Sequence, residues 1–347
     1  MKVPRFLAAV SVGALVVAAC SSSSATPSPT SAPTSVPATA APTAAPTPTP
    51  TTPIKLAALI PNTSDPFWTT VSCGAKAEAA KLGADLKVFS TTGTDTNTIA
   101  QLFDSASLLN PQGMFADPFN NNQFATQYKD LMSKGVPIVT GNGTSPQVEY
   151  MNIFSGGDTG KLVPNVLSYI PAGAGKIVYM GGAPGIPPLE TRTLPFFEAM
   201  KKARVDLTPL ANEYSGFDVN KATSDVNSLI IAHPDLKLII ASNGPDGQAA
   251  AAAIKQSSKV GQIALIAFDA VPAEVAALRD GTISVLIAQA PGKIGSDSIK
   301  ALVDYITAHP NRGAVAPAGS ATIESGLLTK SNIDEPANAD FIYKAQC

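Results

Sequence analysis

The chain has 347 residues, with 24 basic and 26 acidic side chains and a net charge of −2. That balance lacks the electrostatic footprint nucleic-acid binding requires. Two histidines and three cysteines leave little from which to build a metal centre or a nucleophilic triad.

Residues 1–20, MKVPRFLAAVSVGALVVAAC, place Lys2 and Arg5 ahead of an apolar stretch too short to span a bilayer, which is the pattern of an export signal. Val17-Ala18-Ala19-Cys20 looks like a bacterial lipobox, in which Cys20 becomes the lipidated N-terminus. Residues 21–53 carry no charge, are almost wholly Ser, Thr, Ala and Pro, and include nine prolines. Such a segment cannot bury enough apolar surface to offset its ordering entropy, so an extended tether reaching on the order of 100 Å is expected. The expected location is therefore the outer face of the bacterial cytoplasmic membrane. With Cys20 lipidated, Cys73 and Cys347 form an even set in an oxidising compartment. A disulfide between them is the preferred reading and two unpaired thiols the alternative.

From residue 54 short apolar runs alternate with segments of helical period. Strands are predicted at 54–60, 84–90, 112–117, 136–141, 152–156, 175–181, 208–214, 236–242, 262–268 and 283–289. Helices are predicted at 67–82, 97–109, 122–134, 158–169, 191–204, 219–232, 247–257, 272–280 and 292–308. Several of the strands are continuously apolar and β-branched, as in a parallel sheet covered on both faces. This alternation predicts an α/β fold of doubly wound parallel sheets, and its length predicts two lobes.

In such folds ligands bind beyond the C-terminal ends of the strands. The first predicted strand is followed by Asp65, Phe67 and Trp68, the third by Asp117, Phe119 and Asn120 to Asn122, and the fourth by Asn142. The second half supplies Arg192, Phe217, Asn243, Asp269 and Gln289 at equivalent places. Aromatic faces cover the C–H side of a sugar ring, while planar amide, carboxylate and guanidinium groups satisfy neighbouring hydroxyls. The inventory therefore reads as a sugar or polyol pocket. Each residue also has a plainer reading: Asp269 as the cap of the following helix, Asn243 as a left-handed turn, Gln289 as a sheet-edge amide, Arg192 as a surface ion pair with Glu190 or Glu198.

The order LAALIPNTSDPFW, GAKAEAAKLGADL, PIVTGN, ETRTLPFFEAM, YSGFD, IIAHPDLKLIIASNGPDGQAAAAAI, LIAFDAVP and IAQAPGKIG resembles the periplasmic sugar-binding proteins of ribose type, the soluble receptors of ATP-binding-cassette importers. The resemblance runs from about residue 54 to 335. It implies an aromatic sandwich on Phe67, Trp68 and Phe217, and hydroxyl-binding groups on Arg192, Asn243, Asp269 and Gln289. Asp65 stands near a place where the family often has asparagine. The family's Asp-Arg pair after the fourth strand is replaced here by Gly141-Asn142, leaving Asp65, Asp117 and Asn142 as substitutes and the ligand open among monosaccharides, polyols and furanoses. The resemblance also implies three crossings, with lobe one formed by 54–155 and 290–320 and lobe two by 156–289 and 321–347. A Cys73–Cys347 bond would bring the tail back to lobe one. Implied partners are a permease and its ATPase, with a membrane receptor in a sensory role, or a non-sugar ligand, as the alternative; a monomer without cofactor is expected. Catalysis is not expected: His233 and His309 sit at predicted helix ends, H-E-x-x-H and G-x-S-x-G are absent, and 173-GAGK-176 precedes a strand, unlike a phosphate loop.

Overall fold

The computed structural model describes residues 52–347 except 94, 118–121 and 144–147. The expected signal, lipobox cysteine Cys20 and tether up to residue 51 lie outside the described residues, as do Phe119, Asn120 and Asn121.

Two sheets organise the body. The first contains β1 (Lys55–Ile60), β2 (Asp85–Ser90), β3 (Gly113–Ala116), β4 (Ile138–Gly141), β5 (Met151–Gly156) and β12 (Gly319–Glu324), in the order β12-β5-β4-β3-β1-β2. The second contains β6 (Gly175–Gly181), β7 (Leu207–Pro209), β8 (Glu213–Tyr214), β9 (Leu236–Ala241), β10 (Ala264–Phe268), β11 (Val285–Ala288) and β13 (Gly326–Leu328). Its order is β13-β11-β10-β9-β6-β7, with β8 also paired to β6. All pairings are parallel except β11 with β13. Buried β-branched runs such as Leu238–Ala241 explain the choice, since central parallel strands carry apolar side chains on both faces.

The helices are α1 (Pro66–Lys81), α2 (Thr96–Ser107), α3 (Ala125–Ser133), α4 (Pro187–Ala203), α5 (Val219–Ala232), α6 (Gly244–Gln256), α7 (Pro272–Asp280) and α8 (Pro291–Ala308). Asp65 and Asn243 cap α1 and α6 through their side chains, and a proline stands within the first two positions of each helix. The predicted helix at 158–169 is instead two short 3-10 turns, Thr159–Asn165 and Leu167–Tyr169, with Pro164 inside the first. Proline cannot donate the amide that an α-helix would need there. The predicted strand 208–214 is split into β7 and β8, and β12 and β13 are additional strands.

The chain leaves the first sheet after β5, returns after β11, and leaves again between β12 and β13. The last change falls later than residue 321, because β12 pairs along its whole length with β5. Helices α1 and α8 pack in close contact: a Cβ on Gly74 would lie 1.9 Å from the Gly292 carbonyl oxygen, and one on Gly295 would lie 2.1 Å from that of Val71. The Cys73–Cys347 disulfide is formed and ties the tail to α1. A continuous apolar cluster links α1 and α8 to α6 and α7 of the other lobe and includes Phe67, Trp68 and Tyr343.

Candidate functional site

The site forms where the C-terminal ends of the two sheets face each other. In the first sheet the strand order reverses between β1 and β3, which are adjacent although β2 separates them in sequence. The turn after β1 is closed by Asp65, whose Oδ1 accepts from the Phe67 amide at 2.9 Å. Phe67 and Trp68 are both buried and meet edge to face, 4.9 Å between centroids at 88°. Phe67 also meets Tyr343, 5.7 Å away, so it faces the interlobe side.

Across from this turn, Arg192 projects from α4 and is buried. Its Nη1 donates to Asp269 Oδ1 at 2.7 Å, its Nη2 donates to the Ser242 carbonyl at 3.4 Å, and its guanidinium lies over the Phe268 ring at 5.7 Å. Asp269 follows β10 with a φ of 88°, a left-handed conformation that aspartate tolerates better than most residues. Its Oδ2 accepts from the Gly244 amide at 3.1 Å, the start of α6. Asp269 therefore does not cap α7, whose first turn is closed by Glu274 accepting from the Val271 amide. Nor is Arg192 a surface residue paired with Glu190 or Glu198, since its ion-pair partner is Asp269.

Asn243 is not left-handed: with a φ of −159° it caps α6, accepting from Asp246 N at 3.1 Å and donating to Asp246 Oδ2. Gln289 sits where the chain returns to the first lobe, donating Nε2 to the Ser155 carbonyl and to Asn142 Oδ1, the latter at 3.1 Å. Phe217, with a φ of 63°, lies over Gly182, where a Cβ would come within 2.2 Å of its ring. It remains 40% exposed, unlike Phe67 and Trp68.

Asp117 closes β3 and is fully buried, and neither of its carboxylate oxygens has a hydrogen-bond partner among the described residues. A Cβ on Gly141 would lie 2.8 Å from Asp117 Oδ2. The carboxylate thus fills the space that a side chain at 141 would need.

Burial dominates the electrostatics. It pushes the carboxyl of Asp65 up to about 6, with the Phe67 amide opposing, Asp269 adding to the rise, and Arg192 opposing. Tyr343 joins the two sides, its ring against Phe67 and its hydroxyl donating to Asp269 Oδ1. Burial also holds Asp117, Asp246 and Glu274 above their ordinary range. Burial alone would lower Arg192, but Asp269 together with the neighbouring Tyr343 and Tyr179 holds it above its ordinary value. The result is one buried ion pair among carboxyls that burial makes harder to ionise, a set suited to exchanging hydrogen bonds with hydroxyls.

The structure brings Asp65, Phe67, Arg192 and Asp269 together and places Asn243 beside them through Gly244. Asn142 and Gln289 pair at the crossing, while Phe217 stays at the rim. Tyr343 is not among the sequence candidates, although its hydroxyl donates to Asp269 Oδ1 at 3.0 Å. The available signal was the aromatic pair in ANADFIYKAQC, ahead of a cysteine expected to return the tail to lobe one. A separate surface crevice lined by Pro171, Ile230, His233 and Lys259 adjoins the N-terminal ends of β9 and β10, away from the strand ends where such folds bind ligands.

Residues 56–310 match the model of the periplasmic binding protein domain. The chain belongs to this family. Among curated family members, the ribose import binding protein RbsB of Salmonella typhimurium is 22% identical over 247 residues, covering 71% of this chain and 82% of that protein. The D-allose-binding periplasmic protein of Escherichia coli is 23% identical over 262 residues, covering 72% and 83%. Among solved structures, an ABC transporter solute binding protein from Agrobacterium vitis, bound with alpha-D-tagatopyranose, is 25% identical with a TM-score of 0.70, covering 84% of this chain and 99% of its own. A carbohydrate transporter solute binding protein from Agrobacterium radiobacter, in complex with D-arabinose, has a TM-score of 0.71 at 21% identity, covering 83% and 98%. The fold is the two-lobed α/β architecture of these proteins.

Proposed function

We propose that the chain is the solute-binding component of an ABC importer, capturing a monosaccharide or related polyol between its lobes and delivering it to a permease driven by an ATPase. The observation that carries this reading is the buried Arg192–Asp269 pair facing Asp65 and Phe67 from the other lobe. A ligand hydroxyl between them gains charge-assisted bonds from lobe two and an aromatic face from lobe one. Contacts drawn from both lobes favour the closed arrangement over the open one, and closure presents the surface that a permease recognises. Asp117 supplies a lobe-one acid where the family's Asp-Arg pair has become Gly141-Asn142. Its two carboxyl oxygens, without a partner among the described residues, are open to a ligand hydroxyl.

The relatives named for ribose and allose, and the structures holding tagatose and arabinose, support a sugar as the ligand class. Thermal melts with ribose, allose, arabinose, tagatose and a set of polyols test it: ligand at about 100 times its Kd stabilises the fold by about 2.7 kcal/mol. A melt moved by none of these, yet moved by an amino acid or a nucleoside, would overturn the sugar assignment. Tethering through Cys20 has its own test: Cys20→Ser should shift the protein from the membrane fraction to the soluble fraction, and an unchanged distribution would rule out the anchor.

A further inference from the structure

Tyr343 lies just after the 3-10 turn Pro336–Phe341 and is 2% exposed. Its backbone amide donates to the Ala270 carbonyl at 3.0 Å, its hydroxyl donates to Asp269 Oδ1 at 3.0 Å, and its ring meets that of Phe67. The next residue already belongs to the opposite lobe: Lys344 N donates to Thr70 Oγ1 at 2.7 Å, and Cys347 is bonded to Cys73. The tail thus crosses from one lobe to the other through the candidate site.

On Asp269 the phenol takes a position that matters for any ligand. Oδ1 receives Arg192 and Tyr343, and Oδ2 receives the Gly244 amide, so three of about four acceptor directions are used. A hydroxyl on the carboxylate and an aromatic edge against its ring are the contacts a sugar would make. We infer that Tyr343 is a tethered occupant of the ligand position, so that a sugar binds by displacing its phenol from Asp269, and that the Cys73–Cys347 bond holds this competitor in place. The inference rests on the sugar reading proposed above.

The chain from Tyr343 to Cys347 spans at most about 14 Å. A displaced phenol therefore stays near the site while the disulfide is intact, and competes at the high effective concentration of an intramolecular group. The observed sugar affinity is then lowered by the fraction of molecules whose site is free of the phenol. Burial, with Asp269 adding to it, keeps the phenol protonated and hence a donor.

Calorimetric titration of the full chain with ribose, allose, arabinose and tagatose tests the inference, using the wild type, Tyr343→Phe, Tyr343→Ala and the double variant Cys73→Ser/Cys347→Ser. Emission from Trp68, the only tryptophan, checks that each variant is folded around the site. Tyr343→Phe keeps the ring and should lower the Kd of a bound sugar at least tenfold. Tyr343→Ala and the double serine variant should shift it in the same direction. A sugar that binds the variants and not the wild type supports the same conclusion. Equal or weaker binding of one sugar by folded Tyr343→Phe than by wild type overturns the inference and leaves the sugar reading standing. Failure of the wild type and of every folded variant alike to bind any of the four overturns both, because removing the phenol would have uncovered no sugar site.

Discussion

Asp269 and its neighbours combine two duties that a sequence reading treats as alternatives. Asn243 caps α6, and the helix it starts offers the Gly244 amide to Asp269. Asp65 caps α1 and, at the same time, stands within electrostatic range of Asp269 and Arg192. These residues were legible as a set because they follow strand ends, but residue type alone could not decide between cap and contact. Asp269→Ala strands a buried guanidinium, which should cost about 3 to 5 kcal/mol of stability. Sugar affinity should fall by about 2 to 5 kcal/mol as the charged acceptor is lost. An Asp269→Ala protein with unchanged melt and unchanged calorimetric affinity would remove Asp269 from the site. Asp65 makes a prediction with a sign. Its folded pKa of about 6 lies above the ordinary 3.8, so its favourable contribution is complete below about pH 3.8 and lost as pH rises through about 6. Asp65→Asn keeps a good cap and removes the titration, so the variant's melting temperature relative to wild type should climb between pH 4 and 7. A flat difference across that window would show an unperturbed carboxyl.

At the level of elements, the departures from expectation have local causes. The segment 158–169 has helical periodicity, but Pro164 breaks the amide ladder and leaves 3-10 turns. Strand β12, GSATIE, is polar and almost wholly exposed, so no apolar run marks it; it is a strand because β5 has a free edge beside it. Parallel central strands were readable for the opposite reason, being continuously apolar. The α1–α8 contact was not readable, since it depends on missing side chains at Gly74 and Gly295. Gly295→Ala sets a methyl against the Val71 backbone, which cannot yield unless α1 moves and carries Asp65 and Phe67 with it. A loss of about 1 to 3 kcal/mol in urea unfolding is expected. Gly313→Ala, where a Cβ meets nothing within 4 Å, should stay within about 0.5 kcal/mol and serves as the control. Equal effects of the two substitutions would argue against close packing as the cause.

At the scale of the molecule the described residues form two sheets; the alternation of apolar runs with helical segments announced the parallel sheets, and its length the two lobes. The route of the tail was only partly legible: parity suggested the cysteine pair, whereas the crossing of Tyr343 through the site depends on geometry that no local pattern encodes. Losing the bond by Cys347→Ser should lower stability by about 2 to 5 kcal/mol, seen as a lower melting temperature than that of the oxidised wild type. Equal melts would show that the crosslink does not constrain the unfolded chain. The Cys73–Cys347 bond, with a sequence separation of 274, also makes nearly all of both lobes a covalent ring. One peptide-bond cut within that ring, even at a passage between the lobes, leaves a single molecule under oxidising conditions. A protease nick would therefore go unseen on a non-reducing gel and show as two fragments only once the sulfurs are parted.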